Sequence, residues 1–243
     1  MTSFTQRRFT HSITRTLTGV AVASVLIASP AHADPLSPED LSLAKNATSS
    51  FLSRSATNMQ LRHFSVTSDL ESTASIGASE RVETLLIETL EPSKDAPPNS
   101  PTLAVAYLYN YEDDKLTRLS IDPATGSTRV LSREYGVQLP LIDSEISNAL
   151  VLAFNDEETR TQLDAQFLQI TGEALVNSSQ LHVKAFAFHA DTAPGTLLPA
   201  SQTCGMQRCA QLMLYTHDNT AFEFMPIVNL SEQLVTELMG VNQ

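Results

Sequence analysis

The chain has 243 residues, with 15 lysines and arginines against 27 acids, a net charge of −12 and 42% hydrophobic residues. A surface this acidic lacks the electrostatic footprint of a nucleic-acid binder and is repelled by anionic lipid. Glycine is scarce, at eight residues, which argues against phosphate-cradling glycine loops, and there is no tryptophan.

Residues 1–33 read as an export signal. Arg7, Arg8 and Arg15 form a basic head with no acid beside it, Leu17 to Ala28 is a short apolar core, and Ala31-His32-Ala33 is a small-x-small cleavage site. The apolar run is too short to span about 30 Å of hydrocarbon, and no later stretch is long and apolar enough. Phe9 follows Arg7-Arg8 at once, so general export fits better than a twin-arginine route. Losing the three arginines leaves 12 bases against 27 acids, a net charge of −15 on about 210 residues. That length suits one large domain or two small ones.

The first helix is announced by Ser37-Pro38-Glu39-Asp40: a cap, a proline at the first helical position, and two acids at the positive end of the dipole. Leu41, Ala44, Thr48, Phe51 and Leu52 follow at helical spacing, and the pattern ends near Arg54. Residues 55–80 are small and polar, with room for one short strand at Leu61 to Val66. Val82 to Leu90 reads as a strand. The next eleven residues, through Pro101, hold four prolines and form a loop.

Leu103 to Tyr111 alternates. Leu103, Val105, Tyr107, Tyr109 and Tyr111 share one face, and small Ala104 and Ala106 sit on the other. The expectation is one dry and one wet side, with Tyr111 as a strand residue whose hydroxyl folding can spare. Leu116 to Ile121 returns after an acidic turn, and Thr128 to Ser132 follows Asp122-Pro123-Ala124-Thr125-Gly126. The result is an antiparallel meander. Asp143 and Ser144 are expected to cap a helix whose apolar stripe is Ile146, Ala149, Leu150, Ala153 and Phe154. A second helix covers Asp156 to Ile170, with Leu163, Phe167 and Ile170 inward and Gly172 as its stop. Strands are expected again at His182 to Phe188, Cys209 to Thr216 and Ala221 to Leu230.

The two halves correspond. LYNYEDDKLTRLSIDPATGSTRV can be laid over LYTHDNTAFEFMPIVNLSEQLV: in each, Leu-Tyr closes a strand, an acidic turn follows, then a strand and a proline-marked bend. This implies a duplicated α+β unit over 34–136 and 137–243, each a helix packed on an antiparallel meander.

The stretches TLAVAYLYNYEDDKLTRLSIDPATGSTRVLS and VQLPLIDSEISNALVLAFNDEETRTQL resemble the small N-terminal domains of copper amine oxidases. The resemblance implies two tandem cystatin-like units that serve as packing and partner surfaces. The family's quinone-forming motif, Thr-x-x-Asn-Tyr-Asp/Glu, is matched only at Asn110-Tyr111-Glu112, with Tyr107 where the threonine belongs. The copper-binding His-x-His is missing, and the chain is too short for the catalytic sandwich. The family's chemistry therefore does not carry over, and no cofactor is expected.

Cys204-Gly205-Met206-Gln207-Arg208-Cys209 holds the only two cysteines. In an exported protein a Cys204–Cys209 disulfide is the default. The alternative is a metal site, in which two thiolates and a thioether favour Cu(I). If the strands at 182–188 and 209–216 pair antiparallel, His189 falls beside the loop, giving a set of Cys204, Met206, Cys209 and His189. His182 and His189 point to opposite faces and cannot chelate together. No His-Glu-x-x-His, Gly-x-Ser-x-Gly or Walker loop occurs. The reading is an exported, periplasmic or secreted, non-catalytic binding or accessory protein. It acts through contact with a protein partner, an exported oxidase being the kind the resemblance suggests. It contacts neither nucleic acid nor membrane once the signal is removed.

Overall fold

A computed structural model describes residues 35–64, 81–90, 101–193 and 195–240, with the backbone alone for 56–64. The expected signal segment and cleavage site therefore lie outside the described residues, as does most of the proline-rich loop.

The first helix, α1, spans Pro38–Phe64. Ser37 caps it: its Oγ accepts from the Asp40 N–H at 3.1 Å. The helix runs ten residues past Arg54, through ground expected to be loose, and the short strand expected from Leu61 is helical as far as Phe64. Within the expected part of the helix, Thr48, Ser49, Ser50 and Ser53 each donate their hydroxyl to the carbonyl four residues back, at 2.8–3.1 Å.

Four strands follow as an antiparallel sheet in chain order: β1 Val82–Leu90, β2 Leu103–Asn110, β3 Lys115–Asp122 and β4 Ser127–Tyr135. β2 departs from the expected wet-and-dry pattern, because both its faces are dry. Ala104, Ala106 and Leu108 pack with Ala44 and Ala47 of α1, and with Leu119 and Ile121 of β3. Two alanines meeting two alanines let the helix lie close on the sheet. The opposite face places Tyr109, Tyr111, Leu116 and Leu85 in a second core, shared with the second half of the chain.

That half opens with α2, Asp143–Asn155, and α3, Glu157–Thr171. Asp156 joins them. Its N–H closes α2 on the Leu152 carbonyl at 3.0 Å, and its carboxylate caps α3 by accepting from the Thr159 N–H at 2.9 Å. Gly172 ends α3 with φ 75°, a left-handed conformation that glycine adopts at no steric cost. The residues of α2 buried most completely are Glu145, Ala149 and Ala153; Leu150 and Phe154 lie at the flank, half-buried. In α3 they are Thr159, Leu163 and Phe167, with Ile170 only half-buried.

The second sheet is β5 His182–Ala187, β6 Cys209–Tyr215, β7 Met225–Asn229 and β8 Leu234–Met239, again antiparallel in chain order. β7 is shorter than expected; Ala221 makes only an isolated bridge to Tyr215, and β8 was not foreseen as a separate strand. The protein is thus a mixed α+β chain built from two helix-plus-meander modules. The described residues form one compact unit, because the core described above runs from β2 and β3 through α2 and α3 into β6. Among the described residues, no helix is long and apolar enough to cross a membrane.

Candidate functional site

Tyr111 stands one residue beyond β2, where its N–H donates to the Arg81 carbonyl at 3.0 Å. Strand parity aims its ring at the shared core, and Tyr109 meets it edge to face with centroids 5.1 Å apart. Its hydroxyl donates to Glu145 Oε1 at 2.8 Å. Glu145 is the third residue of α2. Its other oxygen accepts from the Ile142 N–H at 3.0 Å, so Glu145 caps the helix, with Ile142 at the N-cap position. Asp143 and Ser144, the expected caps, are the first two helical residues. The first half thus reaches α2 through a tyrosine and a capping glutamate.

Arg208 completes the cluster. Its Nε donates to Glu145 Oε1 at 2.7 Å and its Nη2 to Oε2 at 2.8 Å. Nη1 donates to Gln138 Oε1 at 3.1 Å and the Leu139 carbonyl at 2.6 Å, and Nη2 also to the Pro140 carbonyl at 3.1 Å. All five guanidinium hydrogens are thereby used, and the carboxylate accepts four bonds. Arg208 is fully buried and Glu145 is 2% exposed. Such a pair is tolerated in a low-dielectric interior only when its hydrogen-bonding capacity is filled in this way. Tyr109 lies under the guanidinium at 5.6 Å.

Further hydrogen bonds close the same junction. Asp114 accepts from the Tyr109 hydroxyl at 3.1 Å and from Ser231 Oγ at 2.5 Å, while Ser231 Oγ accepts from the Arg208 N–H at 3.2 Å. Arg81 donates to the Leu230 and Ser231 carbonyls at 3.1 and 2.5 Å. Burial first, then the Glu145 charge, push the Tyr111 hydroxyl far above the ordinary tyrosine value. Burial, then Asp114, do the same to Tyr109. Both phenols are held neutral, as donors. Tyr111, Glu145 and Arg208 are all buried, and their polar groups bond to groups of the chain itself.

Arg208 is delivered by the cysteine loop. Cys204 and Cys209 form a disulfide with Cα atoms 5.4 Å apart, and Arg208 immediately precedes the second sulfur. Gly205, at φ 105°, lets the loop turn. The Gly205 and Gln207 carbonyls both face Gln138 Nε2, at 3.1 and 3.4 Å. β5 pairs antiparallel with β6, and the Ala190 N–H donates to the Cys204 carbonyl at 3.0 Å, so His189 does fall beside the loop. Its ring lies against Gly205, Nδ1 standing 3.3 Å from where a β-carbon there would sit. Met206 turns outward, with its sulfur near Gly136. The sulfurs of Cys204 and Cys209 are bonded to each other, so neither presents the thiolate that the four-residue metal set of Cys204, Met206, Cys209 and His189 requires. Among the described residues, no three of His, Cys, Asp and Glu converge as metal ligands.

Sequence reasoning passed over Glu145, Arg208 and the His182–His217 pair. A signal for Arg208 existed: it is the one base in a cysteine-closed loop of a chain with few bases. The register that brings His189 to Cys204 also brings His182 to His217 at the other end of the same strands. His217 Nδ1 and His182 Nε2 are 2.9 Å apart.

The chain is similar in fold to part of a copper-containing benzylamine oxidase from Hansenula polymorpha. The identity is 15%, the TM-score 0.49, and the match covers 84% of this chain and 29% of that one. The chain thus spans under a third of the oxidase, and a likeness at this level carries no argument about activity. No protein-family model and no curated protein sequence matches the chain.

Proposed function

We propose that the chain is an exported, periplasmic or secreted, non-catalytic binding protein that acts through protein–protein contact at the outer edge of its first sheet. The observation that carries this reading is β4. Among the described residues β4 pairs only with β3, and its apolar side chains Val130, Leu131 and Tyr135 are 38%, 40% and 57% exposed. An unpaired edge with outward apolar groups is a template for strand addition by an extended segment. Arg129 and Arg133 stand exposed on the same strand, while the chain as a whole carries a net charge of −12. They disfavour edge-to-edge pairing with a second copy and suit an acidic partner. The disulfide supports export, since it persists in oxidising compartments. The titratable groups at the centre are consumed in holding the two modules together, which supports a scaffold role for them.

The test is site-specific photo-crosslinking in cells that export the protein, with the probe at Leu131 on β4 or at Leu168 on the exposed side of α3. The reading predicts a discrete heavier adduct from Leu131 that is lost in the R129E/R133E variant. Equal adducts from both sites, or none from Leu131, would reject it.

A further inference from the structure

At the end of the second sheet farthest from the disulfide, the register sets His182 opposite Tyr215 and brings His217 alongside. The two imidazoles meet edge to face with centroids 4.6 Å apart, and both are exposed. We propose that His182 and His217 form a surface site for one divalent transition cation, with Cu²⁺ the best fit, independent of the cysteine loop and of the β4 edge.

Distance comes first. Two imidazole nitrogens bind one ion at about 2.0–2.1 Å each. At 2.9 Å apart, as His217 Nδ1 and His182 Nε2 are, the nitrogens are closer than the roughly 4 Å that two such bonds can span, so one ion can bridge them once the rings turn. Neighbouring positions on Cu²⁺, Ni²⁺ or Zn²⁺ are then open to the pair. Imidazole suits these metals, and the order of divalent affinities places copper highest.

The backbone is already in place. His182 opens β5, and β5 is paired along its length with β6. His217 lies in a turn closed by the Thr216 N–H donating to the Thr220 carbonyl at 2.9 Å, and by the Asn219 N–H donating to the Thr216 carbonyl at 2.9 Å. Asp218 is locked into the same turn by Thr216 Oγ1 and by the Thr220 N–H. A carboxylate therefore sits next to His217, in an acidic chain that concentrates cations near its surface. The rings turn to bind. The ring that now donates its N–H across the pair shifts that proton to its other nitrogen through solvent, and each ring then presents a lone pair to the ion. Exposure leaves the remaining coordination positions to water.

The experiment is a Cu²⁺ titration of the full chain, followed by electron paramagnetic resonance and by histidine ring NMR, with glycine present to strip weakly held ion. One equivalent should bind with two coordinated imidazole nitrogens, and the His182 and His217 resonances should broaden first. H182A and H217A should each weaken binding at least roughly tenfold, the least that loss of an outer-sphere partner typically costs a metal site. H189A should bind as the parent does. If H217A binds Cu²⁺ like the parent, if only one imidazole is coordinated, or if the signal follows H189A, the copper is an adventitious ion only and the proposal fails.

Discussion

Arg208 and Glu145 meet side-on across 63 residues of chain, Nε to Oε1 at 2.7 Å and Nη2 to Oε2 at 2.8 Å, with neither side chain more than 2% exposed. Breaking one partner of such a pair leaves a buried, unpaired charge, at a cost of about 3–5 kcal/mol. Glu145→Ala and Arg208→Ala should each lose that much in urea unfolding. A pair of well-packed apolar replacements, Glu145→Leu with Arg208→Met, should lose far less, because no charge is left without a partner.

Tyr111→Phe tests a smaller part of the same cluster. The sequence pattern suggests that the phenol oxygen is dispensable. The 2.8 Å bond to Glu145 Oε1 argues for a cost of about 1.5–3 kcal/mol, the range for a hydrogen bond to a charged group. Tyr107→Phe removes an exposed bond to Glu88 and should stay within about 0.5 kcal/mol. Intact mass spectrometry should show Tyr111 unmodified.

Alkaline stability follows from the raised pKa values of Tyr109 and Tyr111. Unfolded, each phenol ionises near its ordinary value of 10.0; folded, each stays protonated well above it. The unfolded state therefore binds fewer protons above pH 10, and stability falls as pH rises through that region. Below about pH 10 the contribution of both groups is fully present. Melting temperatures recorded between pH 8 and 11 should decline past 10, and less steeply in the Y109F/Y111F variant.

Opening the disulfide should cost about 2 kcal/mol on the chain-entropy estimate for so short a loop. Because the loop also presents Arg208, C204S/C209S should further weaken the protection of the Arg208 N–H, which bonds Ser231 Oγ. Amide exchange at that position separates this effect from a general loss of stability.

Local pattern made much of the fold legible. Alternation marked β2, the Ser37-Pro38 start marked α1, and Gly172 marked the end of α3. The order β2–β3–β4 follows from two short turns. What escaped depends on contacts distant in sequence. Both faces of β2 are dry because α1 covers one and the second module covers the other, and no local pattern reports a second cover. Leu150 has the right spacing for a core helix face, yet Ala149 and Ala153 take the closest positions. Glu145 reads as a solvated acid at a helix start until Arg208 arrives from 63 residues away.

The most direct test of the junction is hydrogen exchange, resolved by segment, in the parent chain and in Glu145→Ala. If the Tyr111–Glu145–Arg208 cluster ties the two modules into one cooperative unit, amides of β2–β3 and of β6–β7 should lose protection by the same free energy in the variant. Loss confined to α2 and the second sheet, with β2–β3 unchanged, would contradict the account.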